Sequence, residues 1–372
     1  MPTCQTFHID PATAHLSLFD GEAHLIIEPC AEPNLTAKEQ IDAVERAFQS
    51  VKSTCPGYST VFIRYFLSDA ANQAALLPQH TECAVSVVEQ PPLSGVKVAM
   101  WAYMAKDTEV KHLGDGYYCA SRPAYSHIWK AEMAEPDLSS ETATTALLSD
   151  YATHLEEQGA TLAGNCLRTW FFVHDVDINY KGMVRGRNDV FRRQGLTAQT
   201  HFIASTGIGG KHPDPSVMVT LDAYAVKGIT EAQITYLNAP DNLNPTIEYG
   251  VAFERATAVD YGDRRHVLIS GTASIDNKGE VVHPGNIAAQ TCRMAENVEA
   301  LLRAGSCAWK DVQVAIVYLR DMADYRTVRS ILEPILGAPP AVYVLAPVCR
   351  HAWLVEMECI AIAPTATQYP SW

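Results

Sequence analysis

The sequence has few basic residues and no long apolar run. It contains 28 Lys and Arg against 42 Asp and Glu, and its net charge of −14 would be repelled by phosphate backbones and by anionic membrane surfaces. The longest stretch that resembles a membrane segment, residues 98–105, is far shorter than the roughly 20 residues that a spanning helix needs. We therefore expect neither a nucleic-acid partner nor a membrane partner.

Signals for export and for metal binding are also missing. Residues 1–19 contain Asp10 and no Lys or Arg, unlike the basic start of a signal peptide. The ten cysteines include no Cys-x-x-Cys pair, so neither a zinc-ribbon spacing nor a thioredoxin motif is present. His174, Asp175 and Asp177 lie close in sequence, but on a turn such residues are typical of capping and solvation. We expect a cytoplasmic protein with reduced cysteines and no metal site.

The composition, 48% apolar, is that of a globular protein. One unit of predicted helices and strands occurs three times along the sequence. Each copy has a long amphipathic helix, a β-rich run, a second helix and two strands. The predicted long helices are 37–52, 140–158 and 286–304, and the runs that follow them are 60–66, 168–174 and 312–319. The predicted second helices are 70–77, 180–194 and 324–336, and the closing strands are 84–88 with 96–104, 201–205 with 216–226, and 342–345 with 353–362.

This repeat predicts an α+β architecture in which long helices lie on mixed sheets. The unit is about a third of the chain, too long for a solenoid repeat. We expect three modules at residues 1–110, 111–235 and 236–372.

Residues 247–362 strongly resemble the reactive-intermediate deaminase (RidA/YjgF) fold, which is chorismate-mutase-like. The segments that carry the resemblance are Ile269–Ala273, Asn297–Glu299, Tyr318–Asp321 and Glu356–Glu358. That family forms trimers of single modules with ligand sites in the clefts between neighbours. The resemblance implies three tandem RidA-like modules that form an intramolecular pseudo-trimer, with a degenerate first module. Such a chain can be a monomer because its trimer is internal.

A narrower resemblance is to the chorismatases, RidA-like enzymes that split chorismate into pyruvate and a hydroxylated ring acid. Residues 347–356 resemble their C-terminal signature, and the stretches 168–170, 177–179 and 206–210 are also similar. The segment 244–250 is shorter and poorer in Pro and Arg than the corresponding chorismatase segment. The resemblance implies an enzyme without a cofactor, acting on a small carboxylate.

Glu356 is the first catalytic candidate. Val355 and Met357 share one face of the predicted strand, so Glu356 and Glu358 share the other. A carboxyl group in an apolar strand has a raised pKa, as a general acid requires, and cleavage of an enol ether needs a proton at the methylene carbon. The alternative is a solvent-facing glutamate, and we expect Glu358 to be structural.

Cys349 is the second candidate. In chorismatases a cysteine at this place accompanies formation of the aromatic hydroxybenzoate, so the resemblance implies that product. The alternative is a small buried apolar residue.

Arginine is the side chain that binds carboxylates best, because its guanidinium group donates two hydrogen bonds to them. Arg255 and Arg350 of the third module are candidates, as are Arg168, Arg185 and Arg187 of the second. The alternative for each is a surface ion pair. Gly271 can offer its backbone N–H to a ligand. The remaining residues expected to bind substrate are Tyr249, Thr272, Ala273 and Thr206.

The leading functional hypothesis is therefore cleavage of the enolpyruvyl ether of chorismate or a close relative. A second hypothesis is imine or enamine hydrolysis, although the arginine that single-module RidA proteins place after a Pro-Ala pair is replaced by Val342 here. A third is a non-catalytic module that binds a small metabolite. We expect one active cleft of three, because the strands at 98–103 and 218–224 contain no glutamate.

Overall fold

The structure is a computed structural model that describes residues 2–32 and 34–372. These residues form three six-stranded mixed sheets, each with helices on one face. The order of the main elements is β-β-β-α-β-α-β-β in every module. The prediction of an α+β chain built from three repeated modules is confirmed. Over this part of the chain, no helix combines the length and the apolar character that a membrane crossing would require.

The three modules are built from the following elements. The first contains β1 (Thr3–Ile9), β2 (Ala12–Phe19), β3 (Glu22–Pro29), α1 (Ala37–Ser53), β4 (Tyr58–Leu67), α2 (Ala70–Gln73), β5 (Ala84–Glu89) and β6 (Val98–Lys106). The second contains β7 (Glu109–Gly114), β8 (Tyr117–Ser121), β9 (Ser126–Pro136), α3 (Ser140–Glu157), α4 (Leu162–Asn165), β10 (Cys166–Val173), α5 (Val176–Arg193), β11 (Ala204–Gly209) and β12 (Val217–Lys227). The third contains β13 (Ile234–Leu237), β14 (Ala256–Asp260), β15 (Arg264–Ala273), α6 (Ile287–Ala304), β16 (Val312–Leu319), α7 (Tyr325–Leu336), β17 (Ala341–Leu345) and β18 (Val355–Pro364).

The observed elements differ from the predicted ones in two respects. Three strands open each module ahead of the long helix, and the predicted repeat did not include them. The two closing strands of a module also do not pair with each other. In the first sheet the order is β1-β2-β3-β6-β4-β5, so the last strand lies in the middle, and the other sheets repeat this order. The module boundaries expected after residues 110 and 235 fall inside β7 and β13.

Local sequence explains how the elements begin. Thr36 caps α1 with a capping box, because its N–H donates to Glu39 Oε2 at 2.8 Å and its Oγ1 accepts from the Glu39 N–H at 3.3 Å. The β2–β3 hairpin turns through Asp20 and Gly21, both with positive φ (33° and 88°). An Asp-Gly pair suits such a turn because glycine adopts this conformation without a steric penalty.

The sheet faces that point away from the helices pack against one another in a shared core. Trp101 of β6, Trp170 of β10 and Ile316 of β16 all lie in this core, and each is at most 2% exposed. The rings of Trp101 and Trp170 meet edge to face, with centroids 6.3 Å apart. The three modules therefore form one body around a pseudo-threefold axis, as a trimer of single modules would.

Each of the three interfaces between modules contains one buried ion pair. Arg64 Nη2 lies 2.7 Å from Asp222 Oδ2, between the first and second modules. Arg168 Nη2 lies 2.7 Å from Glu358 Oε2, between the second and third. The third interface is closed by Arg264 Nη1, 2.8 Å from Glu22 Oε1. A buried charge that loses its partner destabilises a fold strongly, so these pairs fix how the modules dock.

We predict that Arg64→Met lowers the free energy of unfolding by about 3–5 kcal/mol, because Asp222 is left as an unpaired buried charge. Urea denaturation followed by fluorescence measures the change. The control Lys38→Met removes an exposed helix pair with Asp42 and should cost less than about 1 kcal/mol. Arg64→Met combined with Asp222→Leu should recover much of the loss. An Arg64→Met variant as stable as Lys38→Met would contradict the role of the pair.

Candidate functional site

A cleft between the second and third modules collects most of the predicted site residues. Helix α5 and strand β11 form one wall, and β15, β18 and the loop at 346–354 form the other. The lining residues are Tyr180, Arg187, Ser205, Gly207, Val251, Phe253, Arg255, Gly271, Ala273, Ile275, Cys349, Arg350, Trp353 and Glu356.

Glu356 lies near the start of β18, paired with Tyr318 of β16 and with Ala273 of β15. The residue is 5% exposed. Burial, reinforced by the negative charge of Glu358, raises the pKa of Glu356 to about 8, although Arg168 and Arg255 act in the opposite direction. At neutral pH this carboxyl group is therefore mainly protonated, and it lines the cleft.

Glu358, two residues along the same strand face, is a structural carboxylate. It accepts hydrogen bonds from Arg168 Nη2 and Trp170 Nε1, each at 2.7 Å, and from Thr206 Oγ1. Thr206 Oγ1 in turn accepts from Arg168 Nη2 at 2.6 Å. The structure thus places Arg168 and Thr206 in a network behind the cleft, and their expected contact with substrate stays a prediction.

Gly271 lets the Glu356 carboxyl group lie directly against the main chain. A β-carbon at residue 271 would lie 2.0 Å from Glu356 Oε1 and 3.1 Å from Thr206 Cγ2, so a larger residue does not fit unless the carboxyl group moves. The Gly271 N–H donates to Thr206 Oγ1 at 2.9 Å. This backbone N–H, which we expected to bind a ligand, therefore already has a hydrogen-bond acceptor within the protein. The glycine here makes room for the acid.

The remaining residues of the third module that we expected to bind substrate have different environments. Ala273 lines the cleft, whereas Thr272 is fully buried and donates to the Ser270 carbonyl at 2.9 Å. The side chain of Tyr249 lies outside the described part of the structure. The substrate contacts expected of these residues stay predictions.

Three arginines line the cleft and give it a positive lining. Arg255 donates through Nη2 to the Asn244 carbonyl at 2.9 Å, and the Arg350 guanidinium lies over the Trp353 ring, 5.0 Å from its centroid. Arg187 is 1% exposed and contacts the rings of Phe171 and Phe253. Since the opposing acid is mainly neutral below pH 8, the cleft suits an anionic ligand. Arg185 lines an adjoining cavity and not this cleft, and it pairs with Glu141, with Nε 2.7 Å from Oε2.

Cys349 lies beside the acid on the loop before β18. Burial, together with the negative charge of Glu356, raises the pKa of its thiol to about 12, while a side-chain hydrogen bond with Tyr180 acts in the opposite direction. A thiol with such a pKa stays protonated and is a weak nucleophile. Cys349 therefore contributes a protonated thiol to the wall of the cleft and is not an activated, nucleophilic cysteine.

The loop that carries Cys349 and Arg350 is tied to the second module. Arg320 donates to both carboxylate oxygens of Asp177, at 3.0 and 2.5 Å, and to the Val348 carbonyl at 2.7 Å. His351 Nε2 lies 3.1 Å from Asp177 Oδ1. Asp177 is thus an interface residue, and no metal-binding group of three His, Cys, Asp or Glu side chains is found over residues 2–32 and 34–372.

Two residues of α5, Tyr180 and Arg187, complete the wall opposite Glu356. Arg187 was a candidate on charge alone, whereas Tyr180 was not identified. Their spacing of seven residues places both on one helix face, but that face meets the third module only in the folded chain. Sequence could have indicated the shared face, although not the partner across it.

The space beside Glu356 is small and opens into a larger one. The inner chamber holds about 40 Å³, and an adjoining cavity of about 450 Å³ shares Tyr180, Val251, Cys349 and Arg350 with it. The outer cavity is large enough for a small metabolite, while the inner chamber admits only one small group next to the acid.

Comparisons with known proteins identify the family of the third module. Residues 253–363 match the Endoribonuclease L-PSP family. The RutC family protein SSO3206 of Saccharolobus solfataricus is 32% identical over 97 residues, which are 26% of this chain and 77% of that protein. The 3-aminoacrylate deaminase RutC of Acinetobacter baylyi is 35% identical over 65 residues, 18% of this chain and 52% of that protein. The chain therefore belongs to the RidA-like Endoribonuclease L-PSP family, through its third module.

A solved structure extends the similarity to the other two modules. The crystal structure of a chorismatase superposes with a TM-score of 0.66 and 20% identity, covering 82% of this chain and 93% of that chain. The two proteins share the three-module fold.

We predict that Cys349 is labelled by iodoacetamide at about pH 8 at least tenfold more slowly than the exposed Cys30 and Cys292, because its raised pKa leaves almost no thiolate. Peptide mass spectrometry over a time course measures the three rates. Labelling in urea, where all three thiols are exposed, is the control and should remove the difference. Equal rates in the native protein would contradict the assignment.

Proposed function

We propose that this protein cleaves the enolpyruvyl ether of chorismate or a close relative and releases pyruvate. The observation that carries the proposal is a buried carboxyl group, Glu356, with a pKa of about 8, in a cleft lined by Arg187, Arg255 and Arg350. Chorismate is a dicarboxylate whose enol ether is cleaved by acid. The shared fold with a chorismatase supports the same assignment.

The proposed reaction begins with binding of the two carboxylates by the arginines. A guanidinium presents a planar pair of donors that matches a carboxylate. The ring would occupy the outer cavity, and the methylene group would enter the inner chamber beside Glu356.

Proton transfer follows. Glu356 delivers its proton to the methylene carbon, and the ether oxygen stabilises the resulting oxocarbenium ion. Water then adds to the cationic carbon and returns a proton to the Glu356 carboxylate. The hemiketal collapses as its hydroxyl proton passes to the ring oxygen, which breaks the bond between that carbon and the ring oxygen and releases pyruvate and a dihydroxycyclohexadienoate. A hydroxybenzoate would require the additional loss of one water molecule from this ring product.

A second candidate reaction uses the same acid. Protonation of an enamine at its β-carbon gives an imine that water hydrolyses with release of ammonia. The match to a protein named 3-aminoacrylate deaminase favours this alternative. Pyruvate release from chorismate, measured with coupled lactate dehydrogenase, and ammonia release from enamines generated in situ distinguish the two. Stabilisation by chorismate with neither product would indicate a binding module.

The first prediction for this site concerns Glu356→Gln, which keeps the shape and removes the acid. Pyruvate release should fall by about 10²–10⁴, the usual contribution of a general acid, while chorismate binding by calorimetry should persist. The matched control is Glu132→Gln, since Glu132 also has a pKa raised to about 8, chiefly by burial, but does not line this cleft. Near-normal turnover in Glu356→Gln, or an equal loss in Glu132→Gln, would contradict the proposal.

The second prediction concerns pH. A general acid must be protonated, so kcat/KM for pyruvate release should be constant below the pKa of Glu356, about 8, and fall about tenfold per pH unit above it. The residual activity of Glu356→Gln should lack this fall. A rate that rises through pH 8 would instead assign a base to the step.

A further inference from the structure

Two neutral oxygen atoms of Asn244 hold one guanidinium of the candidate site, that of Arg255. The Nε and Nη2 of Arg255 donate to the Asn244 carbonyl at 3.2 and 2.9 Å, and Nη2 also donates to Asn244 Oδ1 at 3.1 Å. Both residues are at most 4% exposed. A carbonyl and an amide oxygen orient a guanidinium without neutralising its charge, unlike the carboxylates that hold Arg64 and Arg168.

The Asn244 side chain has a fixed orientation. Its Nδ2 donates to Glu248 Oε2 at 3.1 Å, so the amide donates on one side and accepts on the other. Exchange of the amide oxygen and nitrogen would place an N–H against the guanidinium and an oxygen against the carboxylate. A β-carbon at Gly279 would lie 2.8 Å from Nδ2, so the turn at this glycine packs directly against the amide. Asn244 is therefore a buried anchor.

The main chain on both sides of Asn244 is fastened to the third module. Arg293 of α6 donates to the Asn242 carbonyl at 3.1 Å, and Thr246 Oγ1 donates to the Phe253 carbonyl at 2.6 Å. The residue that follows Asn244 is a proline, which restricts Asn244 to extended backbone conformations. The carbonyl group that accepts from the guanidinium is thus set by the fold.

The position of Arg255 matters to Glu356. Both residues line the same space. Burial raises the pKa of the Glu356 carboxyl group and the charge of Glu358 adds to this effect, whereas Arg168 and Arg255 lower it. The pKa of Glu356 therefore reports the charge of Arg255 as well as the burial of the acid.

We propose that Asn244 is a positioning residue, which holds the charged Arg255 guanidinium where a carboxylate of the ligand binds beside Glu356. The carboxylate ligand rests on the function proposed above, whereas the action of Asn244 on Glu356 through Arg255 does not. A neutral anchor suits this role because a carboxylate at position 244 would pair with the guanidinium and compete with the ligand.

The test adds one charge at position 244 and keeps the shape of the side chain. Asn244→Asp retains an oxygen that accepts from Arg255, and Glu248→Gln in the same variant supplies an amide donor to replace the lost Nδ2. Isothermal titration calorimetry of the full chain with chorismate should show binding weakened by about tenfold or more, as expected when a charge-assisted hydrogen bond is lost.

The second readout is the pKa of Glu356, measured by ¹³C NMR titration of protein labelled in its glutamate carboxyl groups. The Glu356 signal is assigned by its absence in Glu356→Gln. A negative charge at position 244 offsets Arg255, which lowers this pKa in the native protein, so the pKa should rise by about 0.5–1 pH unit. The fall in kcat/KM for pyruvate release should move to higher pH by the same amount. A merely structural role, preserved by a side chain of equal size, would move neither.

Two controls separate this effect from charge in general. Glu248→Gln alone, and Asn277→Asp at an exposed residue of the third module, should leave chorismate binding and the pKa of Glu356 unchanged, since solvent and salt screen exposed charges. Circular dichroism verifies folding. If the double variant does not fold, Asn244→Ala removes only the Oδ1 acceptor and the bond to Glu248. It should weaken chorismate binding by about threefold and raise the pKa of Glu356 by a smaller amount.

The proposal is overturned if the folded double variant leaves the pKa of Glu356 unchanged, if it binds chorismate as tightly as the native protein, or if Asn277→Asp produces equal changes. Absence of chorismate binding by the native protein would instead count against the proposed function. The titration of Glu356 would then decide the role of Asn244 by itself.

Discussion

The buried ion pair between Arg168 and Glu358 connects the fold of this protein to its chemistry. It joins the second and third modules with both side chains at most 5% exposed. The same two residues bind Thr206, which receives the N–H of Gly271, so the main chain beside Glu356 is set by the pair. The negative charge of Glu358 also adds to burial in raising the pKa of Glu356. One contact therefore docks two modules and positions the acid, while its two charges act on the pKa of Glu356 in opposite directions.

Fusion of three modules into one chain explains how a single site can be specialised. A trimer of identical subunits must carry the same residue in all three clefts. Here the position of Glu356 is occupied by Ala99 in the first module and by Thr220 in the second, as the strand registers show. The core around the axis differs between the modules as well, because its equivalent cross-strand pairs are Arg64–Trp101, Trp170–Asp222 and Ile316–Glu358. Fusion therefore releases both the clefts and the axial core from threefold identity.

Much of the architecture could be predicted from local patterns, and what could not be predicted depended on distant contacts. The long helices were predictable because apolar residues such as Val298 and Leu302 recur at helical spacing and are buried on one face. The central place of β18 in its sheet was not, since it depends on pairing with β15 and β16, whose partner residues lie 85 and 44 positions away in the pairs Thr272–Met357 and Ala315–Cys359. Likewise, Glu356 and Arg255 were identifiable as candidates within one module. Tyr180 reaches the same cleft only through docking of the second module.

The charge of the cleft contrasts with the charge of the chain. A net charge of −14 repels an anion at long range, but salt screens surface charges beyond about 8–10 Å. Inside the cleft, Arg187, Arg255 and Arg350 line the same space as Glu356. Because Glu356 is mainly neutral, it does not offset them. Local charge therefore governs binding once a ligand has entered. Under the proposed function the protonated acid would serve two purposes: it keeps the cleft positive for a carboxylate, and it holds the proton that the proposed reaction needs.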